Sequence, residues 1–124
     1  MNAPASPWTQ DRVRPASPLV RQMTEQFAAK LRERFGERVL SIRLFGSFAK
    51  GGAHEHSDID VAVVFDRLDW PTKREAIELA IDVEQESGFA ISLMPTVFDR
   101  AKYELWREQE RALVRDIENE GIPL

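Results

Sequence analysis

Leu44-Phe45-Gly46-Ser47-Phe48-Ala49-Lys50-Gly51-Gly52-Ala53-His54-Glu55-His56-Ser57-Asp58-Ile59-Asp60 is the stretch on which the reading of this chain turns. It joins two runs with the composition of strands. Val39 to Phe45 is rich in β-branched and large apolar residues, and Gly46 closes it. Asp58 to Phe65 ends in the almost wholly apolar Val61 to Phe65, which is the mark of a strand inside a sheet. Asp58 and Asp60 stand two apart on that strand, so both carboxylates leave the same face. Carboxylates side by side repel each other unless a cation lies between them, and hard oxygen donors suit Mg²⁺ or Mn²⁺. Ile59, Val61 and Val63 take the opposite face, where they can pack on helices. One strand is thus half core and half site.

The turn between the strands carries the second feature. Glycine lets a phosphate approach the backbone closely, so Gly46 followed by Ser47 suits a phosphate seat. Successive N–H groups at such a turn form an anion cradle, and the Ser47 hydroxyl adds a donor. Lys50, one turn on, can add positive charge, and Ser57 stands beside the acids or caps the turn. A metal-carrying strand beside a phosphate-carrying turn is the equipment of two-metal phosphoryl or nucleotidyl transfer.

Outward from this centre the elements follow from periodicity and caps. Upstream, Ser17 is placed to cap a helix whose first residue is Pro18. Leu19, Met23, Phe27 and Leu31 form its apolar stripe and Gly36 ends it. Downstream, Asp69 caps a helix with Pro71 in its first turn, carried on by Ile77, Leu79, Ala80, Ile81 and Val83 to Gly88. Phe89 to Val97 is expected as a third strand, with Pro95 where an edge or terminus tolerates it. Asp99 to Glu120 is expected helical in one or two pieces. The order predicts an α/β (α+β) fold: a small mixed sheet with helices packed on one face.

Composition bounds the rest. The 124 residues fit one domain, and with 43% hydrophobic and 31% charged residues the chain is ordinary for a globular protein. There is no cysteine, which excludes disulfides and thiolate metal sites and fits a cytoplasmic setting. No apolar run reaches the roughly 20 residues of a membrane helix. The net charge is −4, with no basic stripe of the kind that grips nucleic acid. Phosphate must then be held by local devices. His54 and His56 are expected to be solvated, Trp70 and Trp106 to be packing residues, and Trp8 to serve as a partner anchor. Arg43 either faces the phosphate or serves the strand alone.

Gly46-Ser47, ten residues from Phe48 to Ser57, then Asp58-Ile59-Asp60 resembles the motif of minimal nucleotidyltransferases, in the DNA polymerase β-type superfamily. Ala49, Gly51, Ala53 and Ser57 also match the fuller motif, with Lys50 in place of arginine. The resemblance runs from Leu19 to Leu124. It implies a polymerase-β-like fold over 17–124; residues 1–16, rich in Pro, Ala and Ser, are expected from composition to be a flexible arm. It implies Mg²⁺ (or Mn²⁺) on Asp58 and Asp60, which are also the catalytic pair. ATP would then lie on Gly46, Ser47, Lys50 and Ser57. Such proteins are often antitoxins that AMPylate a HEPN-type ribonuclease toxin, so the implied partner is a toxin protein in a homo- or hetero-oligomer. One departure bears on activity. The superfamily's third carboxylate would fall within Ile91-Ser92-Leu93-Met94, where Ser92 stands. Three readings follow: transfer of AMP to a protein hydroxyl, transfer to a small molecule such as an aminoglycoside, and neutralisation by binding alone. The short chain counts against the second.

Overall fold

A computed structural model of the chain describes residues 18–51 and 57–124. The first helix, α1, is Pro18–Phe35, and its stripe of Val20, Met23, Phe27 and Leu31 is fully buried. Gly36, at φ +57°, turns the chain out of the helix into one 3-10 turn and then into strand β1, Val39–Phe45. A single helical turn, α2, spans Ser47–Lys50, and β2 is Ile59–Phe65. Helix α3 is Trp70–Glu86, with the Asp69 carboxylate accepting from the Thr72 N–H at 2.9 Å. That bond is why Asp69 is the cap; the Thr72 hydroxyl, and then the Thr72 N–H, hold the Asp69 carboxyl below its ordinary pKa. Then come β3 (Leu93–Asp99), α4 (Arg100–Glu108), α5 (Ala112–Glu120) and β4, the two residues Ile122–Pro123.

The sheet order is β3-β2-β1-β4. β1 is antiparallel to β2 and β4, and β2 is parallel to β3, so the sheet is mixed and β2 is central. Alternation along β2 divides the molecule. Ile59, Val61, Val63 and Phe65 face the larger core with α1 and α3. Ala62 and Val64 face a smaller core of Phe45, Phe98, Val114 and Ile117. The expectation of helices on one face therefore holds for α1 and α3 only. α4 and α5 cover the other face, because Val114 and Ile117 form an apolar stripe that needs a sheet to bury it.

The third strand begins four residues later than Phe89, at Leu93, and ends at Asp99. The cause lies at the end of α3. Phe89 N–H donates to the Glu84 carbonyl at 2.7 Å and Gly88 N–H to the Gln85 carbonyl at 3.0 Å. These bonds close a Schellman turn, so Phe89 to Ser92 lies outside the sheet. Leu93 N–H donates to the Glu84 carboxylate at 2.6 Å, on the side away from β2. Pro95, two residues on, offers no N–H on that side. The free edge of β3 is thereby guarded against added strands. The C-terminal helical region does break in two, at Gln109–Arg111, where Glu110 sits at φ +54°. β4, pairing Leu44 with Ile122, has no counterpart in the sequence reading. Among the described residues no helix is long and apolar enough to cross a membrane.

Candidate active site

Gly46 fixes the site. Its backbone stands at φ +77°, ψ −155°, a region open essentially to glycine alone. The register of β1 and β2 sets Phe45 opposite Asp60, so the Asp60 carboxylate lies directly over Gly46. A Cβ on Gly46 would overlap Asp60 Oδ2 and stand 3.2 Å from its Cγ. The glycine thus serves the turn and makes room for the acid.

Asp58 is exposed, one residue ahead of β2; Asp60 is half-buried within it, and the fully buried Ile59 between them pins the segment to the core. Burial raises the Asp60 pKa, and the negative charge of Asp58 raises it further. The two carboxylates therefore feel each other, as their shared face requires. Among the described residues no set of three His, Cys, Asp or Glu side chains is gathered for a metal ion. Two repelling carboxylates still fit Mg²⁺, which commonly takes one or two carboxylates and completes its shell with water and substrate phosphates.

Buried Phe48 and Ala49 root α2 in the core, leaving Ser47 half-buried at its first turn. The N–H groups of Ala49 and Lys50 both go to the Gly46 carbonyl, at 3.1 and 3.0 Å. The cradle expected here therefore narrows to the Ser47 and Phe48 N–H groups, which the helix itself does not use. Lys50 is turned towards α5, 3.6 Å from Glu120 and 3.9 Å from Asp116. Such exposed pairs contribute about 0–1 kcal/mol, so a phosphate can replace them without much loss. Ser57 is half-buried beside Asp58. His54 and His56, and Trp8 in the arm, lie outside the described residues.

The strand register also tests the third acid. Ile59 pairs with Leu93 and Asp60 with Met94, and the Ile59 N–H donates to the Ser92 carbonyl at 2.8 Å. Ser92 accordingly falls beside Asp58, where the missing carboxylate would stand. Two acids of α3 are engaged elsewhere: Glu84 accepts from the Leu93 N–H of β3 and Glu86 pairs with Lys30 of α1 at 3.3 Å.

One open alternative is settled and one expectation is corrected. Arg43 does not reach the phosphate turn. Its guanidinium binds Glu118 on α5 at 2.9 Å, and Glu118 also accepts from the Tyr103 hydroxyl at 2.6 Å. This network, beside a cavity of about 220 Å³, clamps α4 and α5 to β1. No local spacing could have shown it, because Arg43 and Glu118 are 75 residues apart. Trp106 packs against Phe98 with ring centroids 5.6 Å apart, but Trp70 is 68% exposed and packs on nothing in the core.

The clamp yields a direct prediction. Burial, and then the bond to Glu118, push the Tyr103 pKa up to about 12. Tyr103 is the chain's one tyrosine, so ultraviolet titration reports it alone. Glu118→Gln should move its midpoint down towards 10 without reaching it, since burial persists. The stabilisation linked to Tyr103 is present below its ordinary pKa near 10 and is lost as pH rises through about 12. An unmoved midpoint would remove Glu118 from the clamp.

A glycine shaped around an acid, a second acid just ahead of the same inner strand and a single helical turn beside them form one constellation. The chain belongs to the nucleotidyltransferase domain family, whose profile matches residues 24–123. Among its relatives, protein adenylyltransferase MntA of Thermococcus cleftensis is 38% identical over 65 residues, 52% of this chain and 62% of that protein. MJ1379 of Methanocaldococcus jannaschii, named provisionally as a protein adenylyltransferase, is 42% identical over 57 residues, 46% of this chain and 57% of that protein. The matched stretches span 34% to 62% of the three curated relatives. A crystal structure of the toxin–antitoxin MntA–HpeT in mutant form matches with TM-score 0.52 at 22% identity, over 81% of this chain and 70% of that one. A crystal structure of a toxin–antitoxin with AMP-PNP matches with TM-score 0.50 at 25% identity, over 80% and 70%. The mixed sheet and its helices are the fold these structures share.

Proposed function

We propose that this chain transfers AMP from Mg-ATP to a hydroxyl of a partner protein, as the antitoxin of a HEPN-type ribonuclease toxin. The observation that carries the reading is the seat of Asp60 over Gly46, with Asp58 on the same face and the α2 turn beside both. The names of the adenylyltransferase relatives and the AMP-PNP-bound neighbour support it. Asp58 and Asp60 would hold the metal. When bound, the cation would withdraw charge from the triphosphate and favour ionisation of the acceptor hydroxyl. The Ser47 and Phe48 N–H groups and the Ser47 hydroxyl would fix the phosphates, with Lys50 released from Asp116 and Glu120. The acceptor oxygen attacks the α-phosphorus, a P–O bond forms there, and the bond to the bridging oxygen breaks. Pyrophosphate leaves and the hydroxyl proton passes to solvent or to the acceptor protein. A cytoplasmic location goes with this role.

Ser92 favours a second reading. Without a base beside Asp58, the chain neutralises its partner chiefly by binding. The test follows ATP labelled at the α- or the γ-phosphate, with Mg²⁺ and the product of the adjacent gene. The α-label should become fixed to that protein while the γ-label leaves as pyrophosphate. Ser92→Asp should raise the rate about 10²-fold, the low end for an added general base. γ-Label on the protein, or no label with either chain, would overturn AMP transfer.

A further inference from the structure

One peptide group connects α3 to the acids of β2. The Ser92 carbonyl accepts from the Ile59 N–H at 2.8 Å, and the Leu93 N–H donates to the Glu84 carboxylate at 2.6 Å. That carbonyl and that N–H belong to the same planar unit, so neither can turn without the other. Ile59 is the residue between Asp58 and Asp60, and Ile59 with Leu93 is the first pair of β2 with β3. On the other side, the pairing of β1 with β2 ends with Phe45 opposite Asp60. Asp58 lies beyond both pairings. Among the described residues, the bond from the Ile59 N–H is therefore the sheet contact nearest to it.

The peptide is held from outside the sheet by a side chain. Among the described residues β3 is an edge strand, and its Leu93 N–H points away from β2. Leu93 is buried, at 3% exposure, so its N–H needs a partner within the protein. Glu84 supplies that partner from α3. Glu84 is itself fixed by the turn that ends the helix: its carbonyl accepts from the Phe89 N–H at 2.7 Å and from the Ser87 hydroxyl at 2.8 Å. A carboxylate on the N–H polarises the peptide, and the Ser92 carbonyl becomes a stronger acceptor for Ile59. We propose that Glu84 is a positioning residue for the acid pair. Through the Ser92–Leu93 peptide it fixes Ile59, and with Ile59 the spacing of the Asp58 and Asp60 carboxylates. The inference rests on the reading of those two acids as metal ligands. Mg²⁺ demands near-ideal octahedral geometry, so a small shift between its carboxylates is felt.

The test uses the full chain, Mn²⁺ as the probe metal, and two substitutions. Glu84→Ala removes the acceptor, whereas Glu84→Gln keeps an amide oxygen that can accept from the Leu93 N–H. In Glu84→Ala, Mn²⁺ affinity measured without nucleotide should fall about tenfold, the low end for a residue that supports metal ligands. Amide exchange measured without metal should rise about tenfold at Ile59, while Val63 in the middle of the same strand keeps its rate. With α-labelled ATP and the product of the adjacent gene, kcat should fall about tenfold and KM for ATP should stay within about twofold. KM is spared because the Gly46 turn follows β1, not β3. Glu84→Gln should recover most of each loss. An unchanged Ile59 exchange rate in Glu84→Ala, an equal rise at Val63, or a Glu84→Gln chain no better than Glu84→Ala would overturn the inference. Mn²⁺ affinity and kcat of wild-type size in Glu84→Ala would overturn it too, and would leave the acid pair as the metal site. A wild-type chain that neither binds Mn²⁺ nor transfers label would overturn the metal-pair reading itself, and the inference with it.

Discussion

Replacing Asp58 and Asp60 together by asparagine should cut the proposed AMP transfer by roughly 10³-fold or more while making the free chain harder to unfold. The first effect follows from the chemistry. Polarisation by bound metal supplies several kcal/mol of transition-state stabilisation, and each 1.36 kcal/mol is about tenfold in rate. An amide oxygen is a weak substitute for a carboxylate ligand. The second effect follows from Asp60 itself. Burial, and then the charge of Asp58, raise its pKa in the folded chain. A carboxyl raised above its unfolded value favours folding only while protonated, and that favour is lost as pH rises through the folded pKa. At neutral pH the wild-type chain therefore folds with a disfavoured charge that the amide lacks. The variant's advantage should be largest at neutral pH and should vanish below the ordinary carboxylate range. Paired measurements of label transfer and thermal unfolding across pH check both signs. A variant that loses activity and also melts lower at pH 7 would make Asp60 a structural residue. Neutralisation of the proposed toxin partner that survives the double change would instead move the protein to the binding-only reading.

That opposition of stability and chemistry explains what the sequence made legible. The alternation of Asp58, Ile59, Asp60 and Val61 states, in four residues, that one face of β2 is core and the other is not. The stripe of Met23, Phe27 and Leu31 states where α1 is buried. Both are local, and both elements stand at the residues their patterns indicate. The start of β3 was not legible, because Phe89, Ala90 and Ile91 have strand-like composition. What displaced the strand was the Schellman closure on Glu84 and Gln85, a hydrogen-bond pattern rather than a hydropathy pattern. β4 is two residues long, too short for any periodicity.

The site divides in the same way. The pairing of Gly46-Ser47 with Asp58 and Asp60 is written in spacing. What the spacing cannot give is the fate of cations, which depends on long-range partners. Arg43 and Lys50 are both plausible phosphate ligands in sequence, and both have acids of α5 opposite them. Arg43 is held by a short bond within a network, so it stays with the scaffold. Lys50 has two long, exposed contacts, so it remains free to turn to a triphosphate. Trp70 reverses the usual expectation for a tryptophan, standing 68% exposed at the start of α3.

Gly46→Ala should be the most damaging single change in the site. Two separate costs arise. An alanine at φ +77°, ψ −155° sits where L-residues are strained by about 1–3 kcal/mol. Its methyl group would also overlap the Asp60 carboxylate, so either β2 or the turn must move, and such overpacking costs about 1–3 kcal/mol more. The sum of about 2–6 kcal/mol, at about 4 °C per kcal/mol for a domain of this size, corresponds to a fall of roughly 8–24 °C in melting temperature. Activity should be lost even in the folded fraction, because the displaced acid is one of the pair proposed to hold the metal. Gly51→Ala is the internal control. Gly51 also has positive φ, +85°, but nothing lies within 4 Å of a Cβ there, so only backbone strain of about 1 kcal/mol is expected. Adding Asp60→Ala to Gly46→Ala should recover the overlap component and leave the strain. The coupling between the two positions should therefore be favourable by about 1 kcal/mol or more. Strict additivity would mean that Asp60 does not rest on Gly46, and equal costs at Gly46 and Gly51 would reduce the site glycine to an ordinary turn residue.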